Sequence, residues 1–152
     1  MAQILEIRVS TPIDPDVIRE SKPCWPAMEN NSSYCKHAVG PTASVTQMGI
    51  EGNAAGHPGH VSDTINRAIL LFNELNYAIL KEKFPAAEQS LVRGGFGENL
   101  VVNDPNFAPS VVCVGDKYQI GSVVCMITGT RSPCPKVDGW NAVKGMTQYC
   151  RE

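Results

Sequence analysis

Between Leu100 and Thr128 the chain carries four short β-prone runs, Leu100 to Val102, Val111 to Val114, Lys117 to Ile120 and Val123 to Thr128, with Gly115-Asp116 and Gly121-Ser122 as turn pairs. Runs this short, rich in β-branched residues and joined by tight turns, predict a small antiparallel barrel or sandwich. The rest of the chain adds a few helices. Arg67 to Phe72 is an apolar run of strand length, and Asn73 then offers an N-cap for a helix ending at Pro85. That helix is expected to bury Leu75, Ala78 and Ile79 and to leave Lys81, Glu82 and Lys83 in water. Ile4 to Val9 alternate as a strand, whereas Pro12, Pro15, Pro23 and Pro26 predict that Thr11 to Tyr34 is mostly loop. Ala43 to Met48 is β-prone, and a loop bearing glycines and histidines follows from Gly49 to Ser62. From Gly139 on, Trp140, Val143, Thr147 and Cys150 recur at helical spacing, although Gly145 weakens such a helix by about 1 kcal/mol relative to alanine. The expected class is mainly β with accessory helices.

A chain of 152 residues is the size of one domain and can bury a core without staples, so residues 1–152 are read as a single domain. Its net charge of -2 supplies no broad basic field and argues against duplex nucleic acid as a partner. No apolar run approaches the ~20 residues of a membrane span, and the first residues are too polar for an export signal. The six cysteines are therefore expected as free thiols in the cytoplasm. None forms a Cys-x-x-Cys pair, and the spacings Cys24 to Cys35 and Cys113 to Cys125 are too wide for a zinc knuckle.

One cysteine differs from the others. In Thr130-Arg-Ser-Pro-Cys-Pro-Lys136, Cys134 lies between Pro133 and Pro135, which bias the backbone toward an extended path and present the thiol. Arg131 and Lys136, folded back toward the sulfur, would favour the thiolate, the form that attacks or binds metal. Cys134 is thus the candidate nucleophile or metal ligand.

In order along the chain, Val45-Thr-Gln-Met-Gly-Ile-Glu-Gly-Asn53, Asn66-Arg-Ala-Ile-Leu-Leu-Phe72, Gly95-Phe-Gly-Glu-Asn-Leu100, Val112-Cys-Val-Gly-Asp-Lys-Tyr-Gln-Ile-Gly121 and Arg131-Ser-Pro-Cys-Pro-Lys136 resemble the MOSC domain. That family is named for the C-terminal part of molybdenum-cofactor sulfurase. The resemblance covers about Ala43 to Cys150, with weaker agreement at Ile4 to Ser10 and Lys36 to Gly40. It implies a β-barrel with accessory helices, of the pyruvate-kinase-barrel type, and a molybdenum cofactor (molybdopterin) bound through Cys134. Arg131, Lys136 and Arg67 would face its anionic groups, Glu98 and Asn99 would match the family's Gly-Glu-Asn motif at the pocket, and His60 would stand near its mouth. Glu98 and Asn99 could equally pin the barrel through backbone hydrogen bonds.

The resemblance implies reduction of small N-hydroxylated compounds, by analogy with members that protect against hydroxylaminopurines or reduce amidoximes. No dinucleotide fingerprint is visible, since Gly94-Gly-Phe-Gly97 lacks the required spacing, so a separate electron-transfer reductase is expected. The alternative is a carrier of sulfur as a persulfide on Cys134, charged by a desulfurase. Pyridoxal phosphate is disfavoured because no lysine is placed to argue for a Schiff base. Two departures stand out: Asn53 replaces an aspartate usual in the family, and the sequence stops before the glycine-aromatic strand with which members close. An exposed sheet edge is therefore expected, which a homodimer or strand exchange could cover.

Overall fold

The computed structural model describes residues 3–28, 31–56, 65–108 and 110–152. Its centre is a four-stranded sheet in the order β2 (His37–Ala38), β1 (Gln3–Val9), β6 (Leu100–Asn103), β5 (Leu71–Asn73). β6 runs antiparallel to β1, with Ile7 opposite Leu100, and parallel to β5, with Phe72 opposite Val101. Leu100, Val101 and Val102 are all buried, as a strand covered on both faces requires. Two hairpins stand beside this sheet: β3 (Val45–Thr46) with β4 (Gly49–Ile50), and β7 (Lys117–Ile120) with β8 (Val123–Met126). The mixed, mainly β character follows the sequence expectation. Among the described residues, however, the strands form three separate sheets and no closed barrel.

Two apolar clusters pack around the sheet. Val9, Ile50 and Leu100 form one, with Ile7, Leu71 and Ile120 packed against it. Tyr77, Leu80, Ala87, Leu91, Val137 and Met146 form the other, joined by Tyr34, Phe72 and Phe96. The second cluster collects helix α2 (Glu74–Lys83) together with two short C-terminal helices, α3 (Lys136–Asn141) and α4 (Met146–Tyr149).

Four local expectations are corrected. Residues 15–21, expected as loop, form helix α1 (Pro15–Ser21): Asp14 caps it by accepting from Asp16 N at 2.8 Å, and Pro15 occupies the first turn, where a missing N–H costs nothing. Helix α2 is capped by Asn73 as expected, but it buries Tyr77 and Leu80 while Leu75, Ala78 and Ile79 are exposed. Asn73 ends β5 facing inward, and the buried positions then follow four and seven residues later. The run from Val111 to Val114 is a turn, not a strand, because Asp116 Oδ2 accepts from Cys113 N at 2.8 Å and ties the segment locally. Finally, the single C-terminal helix is two. Ala142 at φ 51 closes α3, and Gly145 at φ 89 precedes α4, a left-handed turn that glycine adopts without strain.

Candidate functional site

The segment 130–134 has no regular structure, and hydrogen bonds rather than a ladder fix it. The Cys134 carbonyl accepts from Val137 N at 2.9 Å and from Thr147 Oγ1 at 3.1 Å. One residue earlier, the Pro133 carbonyl accepts from both Nε and Nη2 of Arg151, at 3.2 and 2.8 Å. Asp138 adds a second tie between the helices, its carboxylate accepting from Gly145 N at 3.0 Å, Thr147 N at 2.6 Å and Thr147 Oγ1 at 2.8 Å. The Cys134 backbone is thus held on both sides while its half-buried side chain lines a cleft of about 1110 Å³.

Charge in this cleft has one dominant sign. Among the described residues, Lys36, Arg67, Arg131, Lys136 and Arg151 line it, against the side-chain carboxylate of Glu152, in a chain whose net charge is -2. Lys36 reaches the cleft because its carbonyl accepts from the Arg8 guanidinium and its ammonium donates to Ser33 O at 2.9 Å. Burial, reinforced by the nearby Arg131 cation, pushes the Lys36 ammonium down to about 8. Lys136 is also pushed down, chiefly by burial; Cys134 opposes the shift and Arg131 adds to it. Its ammonium lies 5.9 Å from the Trp25 ring centre.

Apolar side chains share the lining, Leu70, Phe72, Leu80, Phe96 and Val137, together with the exposed Ile79. Phe72 and Phe96 stack with ring centres 4.6 Å apart. Tyr34, also in the lining, donates its hydroxyl to Gly95 O at 2.6 Å. Gly97 has to be small here, since a Cβ on it would lie 3.1 Å from the Tyr34 ring. Burial, with Cys134 and Glu98 contributing, raises the Tyr34 pKa well above its ordinary value, so its hydroxyl remains a donor.

Of the residues singled out from sequence, the structure brings Arg67, Asn99, Arg131, Cys134 and Lys136 to this one cleft. The Asn99 amide is committed to backbone: Oδ1 accepts from Leu70 N at 3.1 Å, and Nδ2 donates to Arg8 O at 3.1 Å. Glu98 lies fully buried, and its carboxylate accepts from Tyr77 OH at 2.6 Å and from the backbone of Gly94 and Phe96. His60 lies outside the described residues. Asn53 lines the cleft, its Oδ1 accepting from Ser10 N at 3.2 Å, so the amide at that corner holds β1. Sequence reasoning missed Tyr34 and Lys36 as lining residues. The weak resemblance beginning at Lys36 touched Lys36 but not Tyr34, and long-range contacts to Arg8 and Gly95 bring the two in.

The fold is mainly β, and it sets the half-buried Cys134 among cations on one cleft. Residues 37–152 match the MOSC domain, and the chain belongs to that family. It is 27% identical over 107 residues to Protein YiiM of Escherichia coli (strain K12), covering 70% of this chain and 46% of that protein. The crystal structure of YiiM from Geobacillus stearothermophilus superposes with a TM-score of 0.66 at 21% identity, over 98% of this chain and 61% of that one. YiiM from Escherichia coli gives a TM-score of 0.62 at 23% identity, over 76% of this chain and 51% of that one. The chain thus spans about half the length of the relative it matches by sequence. No helix among the described residues is long and apolar enough to cross a membrane.

Proposed function

We propose that this protein binds a molybdenum cofactor through Cys134 and reduces small N-hydroxylated compounds with electrons from a separate reductase. The observation that carries the reading is Cys134 on the wall of a cleft whose charged lining, among the described residues, is five cationic side chains and one carboxylate side chain. The donor set fits such a group. Among the described residues no cluster of three His, Cys, Asp or Glu side chains could hold a bare metal ion, so an ion held here would bring its own ligands and take one thiolate from the protein. A pterin dithiolene brings sulfur ligands and an anionic phosphate, which the cationic lining suits, with arginine offering a planar fork. The cleft volume slightly exceeds that of ordinary small-molecule sites, roughly 300–1,000 Å³, leaving room for cofactor and substrate together.

Held there, a molybdenum cofactor would supply two-electron redox chemistry. The chain's own contribution is positional and electrostatic. Thr147 and Arg151 fix the backbone of the Cys134 loop, while Arg131, Lys136 and Lys36 hold negative charge near the sulfur. Phe72, Phe96 and Ile79 offer an apolar surface to a flat substrate. On this reading the three sheets belong to one barrel in a single domain, a second copy of the chain is a further partner, and six cysteines free of disulfides suit the cytoplasm.

Molybdenum and pterin content, measured on wild type and Cys134→Ala purified from a host that makes the cofactor, tests the proposal. Stoichiometric metal lost in the variant supports it. A folded wild type without metal, carrying labile sulfur on Cys134, overturns it in favour of persulfide carriage.

A further inference from the structure

The hairpin of β7 and β8 is a sheet of two strands, so among the described residues each has one edge with no strand beside it. Lys117 lies opposite Met126, Tyr118 opposite Cys125, Gln119 opposite Val124 and Ile120 opposite Val123. One position beyond, Ile127 N donates to Asp116 O at 2.9 Å, which fixes the alternation of the antiparallel ladder. The hydrogen-bonded pairs are then Asp116 with Ile127, Tyr118 with Cys125 and Ile120 with Val123. Val124 and Met126 therefore turn their N–H and C=O groups away from β7, and among the described residues no hydrogen bond meets them.

Side chains follow the same parity. Ile120 packs on the cluster of Val9, Ile50 and Leu100, so Tyr118, Ile120, Val123 and Cys125 face the body of the protein, and Lys117, Gln119, Val124 and Met126 face out. Val124 is 65% exposed and Met126 53%. The free edge of β8 thus sets apolar side chains beside unpaired backbone, the combination that recruits a further strand. The free edge of β7 differs. Its outward residues are Lys117 and Gln119, and a lysine on an edge resists pairing.

The edge of β8 complements itself. In an antiparallel pair centred on Cys125, Val124 of one copy lies opposite Met126 of the other, and because both turn their backbone outward they meet as hydrogen-bonded pairs. Val124 and Met126 of the two copies then cover one another on the outer face. Lys117, the one charged residue of the hairpin strands, stays a full strand away from the join in each copy, so no like charges meet.

We propose that β8 pairs antiparallel with β8 of a second copy of this chain, joining the two hairpins into one continuous sheet across a two-fold axis at Cys125. The proposal rests on the proposed function only in taking a second copy as partner, and it states the edge and the register at which that copy docks. No metal or pterin takes part.

The test is sedimentation of the full chain in reductant, from low to high micromolar concentration, with amide exchange read by magnetic resonance at both ends of the range. A reversible shift from 16.4 kDa to twice that mass is expected. The Val124 and Met126 amides should exchange about tenfold more slowly in the dimer. Val124→Pro deletes an outward N–H and leaves the ladder to β7 whole, a change that edge strands tolerate, and it is expected to weaken dimerisation about tenfold or more. Gln119→Pro makes the same deletion on the β7 edge and should leave the dimer intact. Should Val124→Pro not fold, Val124→Lys keeps the N–H, sets a charge against Met126 of the second copy and is expected to give the same loss. A monomer at every concentration, a dimer that survives the change at Val124, or one lost in Gln119→Pro overturns the proposal. Each of these results leaves the molybdenum reading intact, since that reading rests on metal content.

Discussion

The Thr147 hydroxyl lies 3.1 Å from the Cys134 carbonyl and 2.8 Å from the Asp138 carboxylate, its one proton shared between them, and the Thr147 amide donates to the same carboxylate, so one buried threonine couples the two C-terminal helices to the cysteine loop. Thr147→Val keeps the shape and deletes the hydroxyl. It is expected to lower stability by about 1–2 kcal/mol, the range for losing such a bond and leaving half-buried acceptors underpaired. A urea titration checks this, and iodoacetamide labelling of Cys134 should accelerate in the same variant. Lost stability with unchanged labelling would separate the helix contact from the thiol's positioning.

The cationic lining predicts a pH dependence with a definite sign. Lys36 is pushed down to about 8, so it is charged below that pH and neutral above it. Anion affinity should therefore be full below pH 8 and fall several-fold as the pH rises past it. Sulfate is the right probe because its own charge is constant over this range. Calorimetric titration of wild type should show the step near pH 8, and Lys36→Met should bind more weakly at pH 7 and lose that step.

Glu98 predicts an asymmetry between two partners of one hydrogen bond. Its carboxylate accepts from Tyr77 OH and from Phe96 N, and a glutamine amide in its place would aim donors at donors, so Glu98→Gln is expected to cost about 2–3 kcal/mol. Tyr77→Phe removes a single donor from an acceptor that keeps its backbone bonds, and about 1 kcal/mol is expected. Burial and the Glu98 carboxylate hold the Tyr77 phenol protonated far above its usual range, so the bond does not weaken at moderately alkaline pH. Chemical denaturation of the two variants gives the comparison directly.

These contacts show which parts of the molecule could be read from sequence. Cys134 and its cations were legible because two prolines and the adjacent charges form a local pattern, and the β6 strand and the Asn73 cap were legible for the same reason. Pro15 misled because proline breaks a helix interior yet starts a helix well, and only the Asp14 side chain decides between the two. The exposed Leu75 and Ile79 misled because the register of β5, set by its pairing with β6, chooses which face of α2 is buried. Lys36 left no local pattern beyond the weak resemblance that begins there, because its place depends on Arg8, twenty-eight residues away. Contacts of that range leave no periodicity to find.

Gly139 gives a case in which local propensity and packing predict opposite signs. It lies in helix α3, where alanine is ordinarily better than glycine by about 1 kcal/mol. A Cβ at that position would lie 2.7 Å from Cys24 O, 2.8 Å from the Pro26 ring and 3.0 Å from the Trp25 Cα. Two of those three atoms are backbone, so the N-terminal segment has to move as a unit, and overpacking of this kind costs about 1–3 kcal/mol or more. Trp25 packs on Tyr34 at 5.3 Å and on Trp140 at 6.4 Å between ring centres, so the displacement reaches the cleft wall. Gly139→Ala is therefore expected to lower the urea midpoint and to change tryptophan fluorescence in the folded baseline. A raised midpoint would mean that helix propensity governs this turn and that the segment carrying Trp25 yields freely.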